Sequence, residues 1–309
     1  MRDSSAIARH DVSVGIVSPS GYAPDQVVVD RAVARLRAEG ARVTLFCDPA
    51  DKFERFGASD QQRVAQLHAA ASDPSIDIVI ALRGGYGLSR ILPMLDVDLL
   101  ARSGKLFVGH SDFTAFQMAL LAATNAISFA GPMICDDFGR DVPSRFTLDH
   151  FWRCLQSDSI SLTSDHPCSE ALKLSGPLWG GNLAMLSHLA GSPYLPDIDG
   201  GILFLEDINE HPFRIERMLL QLLHAGILQK QQAILLGDFS GGRVGEYDNG
   251  FTIDSVIAFV RGQLAVPVLT GLQFGHVVDK VTLPVGARAA LSADASGWAL
   301  RIDGYPRLG

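Results

Sequence analysis

The 309-residue sequence is poor in cysteine, in clustered positive charge and in long apolar runs, and each shortage argues against a class of protein. Its four cysteines, Cys47, Cys135, Cys154 and Cys168, are widely and irregularly spaced, with no CxxC pair to hold a metal or run redox chemistry. Reduced thiols in a cytoplasmic protein are the simplest account. Lysine and arginine total 26 against 34 acidic residues, a formal charge of −8, and there is no dense basic cluster. That argues against nucleic acid as a partner, because binding a phosphate backbone depends on such clusters. No apolar run approaches the ~20 residues of a membrane-spanning helix. The first 21 residues contain two acids and no long apolar segment before the first strand, so they do not resemble a secretory signal. Repeats and low-complexity segments are absent. Neither HExxH nor a completed GxGxxG occurs, and no GK[ST] follows the glycine turn at 84–87. No metal and no cofactor are therefore expected.

What is present is a chain with 47% hydrophobic and 19% charged residues, long enough for two domains with sizeable cores. Short apolar runs at 12–17, 42–46, 76–82, 105–109 and 127–133 read as strands. They alternate with helical patterns such as DQVVVDRAVARLRAE, which Gly40 stops, and the segment that Asp60 caps. This alternation predicts an α/β fold with a parallel sheet covered on both faces. The periodicity weakens after 133, and one helix, TLDHFWRCL, precedes a polar stretch at 157–171 that reads as a linker. The expected organisation is a first domain at 1–156 and a second at 172–309. The second half opens on a glycine turn and a short helix. An apolar strand at 201–205 then runs into Glu206 and Asp207. A strong helix follows, with Pro212 in its first turn and Gly226 past its end. Another strand and helix lead into closing β structure at VTLPVGARAAL and WALRIDGY.

The stretch GHSDFTAF, 109–116, ends a buried strand and opens a helix, delivering Ser111 at the junction. Such a turn exposes a hydroxyl beside backbone N–H groups that lack helical partners, which is how a nucleophile is built. It is equally a place for a helix cap. Phe113 stands where GxSxG would need glycine, which argues against an α/β-hydrolase elbow. RGGYG, 83–87, lies at the carboxyl end of the preceding strand, where open α/β sheets bind ligands. Its glycines either bring amides up to a substrate or serve the turn alone. A serine needs a base oriented by an acid. Of nine histidines, His10 lies in the tail and His68, His150, His188 and His224 fall in helical patterns, whereas His276 ends PVLTGLQFGH at a turn. Glu206 and Asp207 both offer a carboxylate, but alternation sends them to opposite faces, and spacing does not choose between them. Glu210 and His211 lack metal-ligand spacing.

Taken together, RGGYG, GHSD, LWGGN at 178–182, LEDINEHPFRIERML at 205–219 and FGH at 274–276 resemble the LD-carboxypeptidases, or muramoyltetrapeptide carboxypeptidases, over nearly the whole chain. The resemblance implies a flavodoxin-like N-terminal domain, a β-rich C-terminal domain and an active site in the cleft between them. It further implies Ser111 as nucleophile, Glu206 as orienting acid, His276 as general base, and an oxyanion hole from the Asp112 N–H and a glycine amide, Gly85. The reaction implied is release of D-alanine from the murein tetrapeptide or its muropeptide forms during cell-wall recycling, by a cytoplasmic homodimer. Arg83 and Arg90 are candidates for a substrate carboxylate, and Trp179 and Asn182 for the pocket wall. The rivals are an amidase resembling the microcin self-immunity peptidases, acting on aminoacyl-nucleotides, and a non-catalytic cleft-binding protein.

Overall fold

The computed structural model describes residues 12–309. The readings made on the first 11 residues, including the tail position of His10, lie outside them. The alternating pattern of the first half builds β1 (Ser13–Val17), α1 (Gln26–Ala38), β2 (Arg42–Leu45), α2 (Asp60–Ser72) and β3 (Ile78–Ala81). Two short helices follow, α3 (Leu88–Ile91) and α4 (Val97–Arg102), then β4 (Leu106–Gly109), α5 (Phe113–Thr124), β5 (Ser128–Ala130) and α6 (Arg145–Gln156). In α1 the buried residues Val29, Ala32, Val33 and Leu36 repeat at helical spacing, and the Asp25 side chain accepts the Val27 N–H. A capping box between Ser59 and Gln62 starts α2. The strands are wholly buried except β2 at the edge, as expected of a parallel sheet covered by helices.

Strand order in this sheet is 2-1-3-4-5, the flavodoxin-like arrangement, with all five strands parallel. The order reverses between β1 and β3, so the loops leaving those strands flank a crevice at the carboxyl edge. RGGYG leaves β3 there, and Ser111 leaves neighbouring β4.

The second half contains β6 (Ser159–Ser164), β7 (Leu172–Asn182), α7 (Leu183–Leu189), β8 (Ile202–Glu206), α8 (Pro212–His224) and β9 (Ala233–Leu236). It continues with α9 (Ile253–Gln263), β10 (Val268–Leu269), β11 (Leu283–Val285), β12 (Arg288–Asp294) and β13 (Gly297–Asp303). Seven of these strands form a mixed sheet in the order 10-9-8-7-12-13-6. β7 serves two partners in succession. Residues 172–177 pair antiparallel with β12, and residues 178–182 pair parallel with β8. Burial changes at the same point, from alternating in the antiparallel part to complete in the parallel part, where helices cover both faces.

Two sequence expectations need correction. The stretch 157–171, expected as a linker, contains β6, an edge strand paired with β13. Its sequence, SISLTS, does alternate in burial, but its exposed positions are serine and threonine, so it reads as loop. The last part of the chain is also not confined to the second sheet. β11 crosses back and pairs antiparallel with β5, closing the edge of the first sheet through Leu283 opposite Ala130 and Val285 opposite Ser128. α5, buried from Phe113 to Leu121, packs on α7 and β7 as well as on its own sheet. The two halves therefore share a core next to the Ser111 turn.

Candidate active site

Ser111 sits between β4 and α5 with φ +62°, a left-handed conformation that non-glycine residues adopt only when the surroundings impose it. Phe113 N–H donates to the His110 carbonyl and Thr114 N–H to the Ser111 carbonyl, which fixes the turn. The Asp112 side chain points inward. Its Oδ2 accepts from Ser20 Oγ at 2.6 Å and from Leu88 N–H at 2.9 Å, tying the Ser111 turn to the loops after β1 and β3. Burial raises the Asp112 carboxyl above its ordinary range. The Asp112 N–H has no acceptor among the described residues.

Gly84 abuts the serine: a Cβ built on it would lie 2.7 Å from Ser111 Cβ and 2.8 Å from Oγ. Only glycine permits that approach. The Gly84 carbonyl accepts from Gly21 N–H at 3.1 Å. Because the peptide is trans, the Gly85 N–H points the opposite way, away from Gly21. Among the described residues this N–H also lacks an acceptor. Arg63, fully buried, holds the same loops in place by donating to the Pro19 carbonyl and, at 3.0 Å, to that of Gly87.

The acids come from the carboxyl end of β8. Glu206 is fully buried, and its Oε2 lies 2.8 Å from His276 Nδ1. Its Oε1 accepts from Asn182 Nδ2 at 3.2 Å. The same Nδ2 donates to Asp207 Oδ1 at 3.0 Å, and Asp207 Oδ2 accepts the Ala184 N–H. The histidine thus pairs with Glu206, while Asp207 is taken up at the start of α7. Burial pushes the Asp207 carboxyl up to about 6, opposed by its hydrogen bond from Ile208 N–H and reinforced by the Glu206 charge. His276 is reached through Gly275, φ +138°, where an added Cβ would lie 3.1 Å from Asp238 Cβ and 3.3 Å from Glu206 Oε2. Burial lowers the basicity of His276, but the bond to Glu206 and its charge outweigh this and raise its pKa above the usual histidine value.

His110 joins the two halves of the site. Its ring meets that of His276 edge-on with centroids 5.1 Å apart, and its Nδ1 donates to the Gly131 carbonyl at 2.9 Å. Burial, together with the Lys280 and His276 charges, holds His110 well below the ordinary pKa, so the ring is neutral. The chain after His276 is anchored to the first sheet's side. Lys280 Nζ lies 2.6 Å from Asp137 Oδ1, Lys280 N–H donates to Thr147 Oγ1, and Thr282 N–H donates to His150 Nδ1 at 3.0 Å.

The remaining candidates separate. Trp179, expected in the pocket wall, is fully buried with Nε1 donating to Gln231 Oε1 at 2.8 Å, because it belongs to the doubly covered part of β7. Asn182 is at the site, but as the donor between the two acids. Arg90 is engaged by Asp60 at 3.2 Å and lies over the Phe56 ring. Arg83 remains half-buried beside the cleft, with one long bond, 3.4 Å, to the Tyr22 carbonyl. Lys280, Asp137, His110 and the side chain of Asp112 are not signalled by any local motif. The bonds joining Lys280 to Asp137, His110 to Gly131 and Asp112 to Ser20 and Leu88 span 20 or more residues of sequence. Among the described residues no cluster of potential metal ligands occurs.

The family model described as LD-carboxypeptidase N-terminal domain matches residues 14–131, and the C-terminal domain model matches residues 175–291. A probable murein peptide carboxypeptidase of Bacillus subtilis is 31% identical, covering 91% of this chain and 88% of its own. The crystal structure of muramoyltetrapeptide carboxypeptidase from Oxalobacter formigenes is similar at TM-score 0.91 and 49% identity, over 96% of this chain and 100% of that one. The microcin C7 self-immunity protein of Escherichia coli is 28% identical over 76% of each chain.

Proposed function

The chain belongs to the LD-carboxypeptidase family, and from that membership we propose that it releases the terminal D-alanine of a murein tetrapeptide. The bond cut joins the L-centre of a diamino acid to D-alanine. The observation that carries the reading is the 2.8 Å bond from His276 to buried Glu206, with the His276 ring against His110, the neighbour of Ser111, whose backbone is left-handed.

In this reading Glu206 fixes the His276 tautomer with the proton on Nδ1, leaving Nε2 to take the Ser111 proton. Ser111 Oγ attacks the carbonyl of the L,D bond, and the Asp112 and Gly85 N–H groups receive the oxyanion. The imidazolium, stabilised by Glu206, returns its proton to the leaving amine, and D-alanine departs. Water, deprotonated by the same histidine, then hydrolyses the acyl-enzyme. Arg83 holds a substrate carboxylate as a fixed, always charged donor. The reading keeps the organisation expected for the family, two domains with the cleft between them and a homodimer in the cytoplasm. All four cysteines are free and buried, which fits a reducing compartment, and no described helix is long and apolar enough to cross a membrane.

The test is D-alanine release from a purified tetrapeptide. Wild type releases it and Ser111→Ala, still folded by circular dichroism, does not; equal rates in the two proteins would refute the nucleophile. Similarity to the microcin self-immunity protein raises a second reading, hydrolysis of an aminoacyl-nucleotide amide. Turnover of that amide without D-alanine release would favour it.

A further inference from the structure

Two side chains of opposite charge near the Ser111 turn are only partly satisfied by the fold: Arg83, with one 3.4 Å bond to the Tyr22 carbonyl, and Asp136. Cys135 N–H donates to the Leu82 carbonyl at 2.9 Å, which lays residues 135 and 136 alongside 82 and 83 at the carboxyl edge of the first sheet. The next residue, Gly84, is the one pressed against Ser111. Asp136 and Arg83 therefore leave neighbouring positions at that edge, and the Asp136 carboxylate lies within electrostatic reach of Arg83, Lys280 and His276.

Their neighbours are all committed. Asp137 binds Lys280 Nζ and the Met133 N–H, Arg90 binds Asp60, and Arg140 Nε donates to the Asp136 carbonyl rather than to its carboxylate. Asp136 itself is half-buried, and among the described residues its carboxylate accepts no hydrogen bond and enters no ion pair. Burial, with the Asp137 charge, raises its carboxyl above the usual range. Arg83 Nε is buried without a partner. A carboxylate and a guanidinium left partly desolvated and apart are costly, and a ligand carrying both charges offsets that cost.

We infer that Asp136 receives the free side-chain ammonium of the diamino acid on the acyl side of the scissile bond, with Arg83 taking a substrate carboxylate beside it. The inference rests on the peptidase reading of Ser111, Glu206 and His276. An ionised carboxylate only accepts hydrogen bonds and an ammonium only donates them, so the match is complete. A peptide whose side-chain amine is acylated, as in a branched or cross-linked peptide, brings no charge and leaves Asp136 partly desolvated and uncompensated. The cleft then selects linear peptides with a free amine.

Calorimetric binding to Ser111→Ala protein tests this without turnover, using a tetrapeptide ending in L-lysyl-D-alanine with its side-chain amine either free or acetylated. The free-amine peptide binds roughly ten- to a hundredfold more tightly than the acetylated one. In Ser111→Ala/Asp136→Asn the two affinities converge to within about twofold, and Ser111→Ala/Asp136→Glu retains the preference. A merely structural role for Asp136 would weaken both peptides equally and leave their ratio unchanged. Equal affinities in Ser111→Ala, no binding of either peptide, or an undiminished preference in the Asn variant overturns the inference. D-alanine release by wild type is scored separately. Selective binding without release would overturn the peptidase reading and leave ammonium recognition standing.

Discussion

Lys280 Nζ lies 2.6 Å from Asp137 Oδ1, with both side chains at most 2% exposed. Asp137 belongs to the segment after β5, and Lys280 follows His276 by four residues, so this pair fastens the His276 segment to the sheet that carries Ser111. A buried pair broken on one side leaves an uncompensated charge, at about 3–5 kcal/mol. Lys280→Ala is expected to lower unfolding stability by about that amount in urea titrations, with kcat falling as His276 loses its support. Lys280→Met combined with Asp137→Leu is expected to recover much of the loss. A double variant as unstable as the sum of the two single ones would show that the pair is not coupled.

The rate is expected to follow His276 through pH. In the proposed mechanism His276 must be neutral to act as base, and Glu206 raises its pKa, so activity is expected to fall as pH drops through a value above the ordinary histidine one. Glu206→Gln removes the two largest influences that raise the pKa and leaves burial and the Lys280 charge, which lower it, opposed by the Asp207 charge. The acid limb therefore moves to lower pH while kcat drops by about 10³- to 10⁴-fold. Stability runs the other way. A folded pKa above the unfolded one makes the His276–Glu206 interaction contribute fully below the unfolded value and fade as pH rises through the folded one. Asp207, at about 6, titrates in the same cluster, so the profile is best measured in Asp207→Asn as well. An acid limb that stays in place in Glu206→Gln would refute the coupling.

Gly84→Ala tests the packing behind Ser111, the proposed nucleophile. The new methyl would sit 2.7 Å from Ser111 Cβ, an atom fixed by the backbone, so the turn must move. Displacement of that size is expected to reduce kcat by about 10²-fold, with a much smaller change in KM. Steady-state kinetics on the tetrapeptide, beside a thermal melt showing a folded protein, decide it; unchanged kcat would mean that the turn relaxes without consequence.

Much of the parallel sheet is legible in sequence because its strands are short, wholly apolar and punctuated by glycine or polar residues, as in KLFVG before His110. The position of Ser111 at a strand-to-helix junction follows from the same contrast. Other features leave no local mark. The two short helices between 88 and 102 are broken by Pro93 and lack a full amphipathic period. Trp179 comes two residues after Pro177 and precedes two glycines, which suggests a loop or pocket, yet it lies in the fully buried part of a strand. Lys280 in a strand-like run gives no hint of a partner 143 residues earlier. Asn182 announces a cap for α7, and its Oδ1 does accept from Met185 N–H at 3.2 Å, but its second task between Glu206 and Asp207 depends on the neighbouring strand's register.

β11 gives the pairing of strands a wider meaning. By sequence it belongs to the last quarter of the chain; by hydrogen bonding it covers the outer edge of β5. A fragment ending near residue 156 would expose the backbone of Ser128–Ala130 as an open edge, ready to recruit a strand from another molecule. The first half is sheltered from self-association only once the final strands have been made. In a chain synthesised from its amino terminus, that places protection against aggregation, like the histidine of the site, near the end of synthesis.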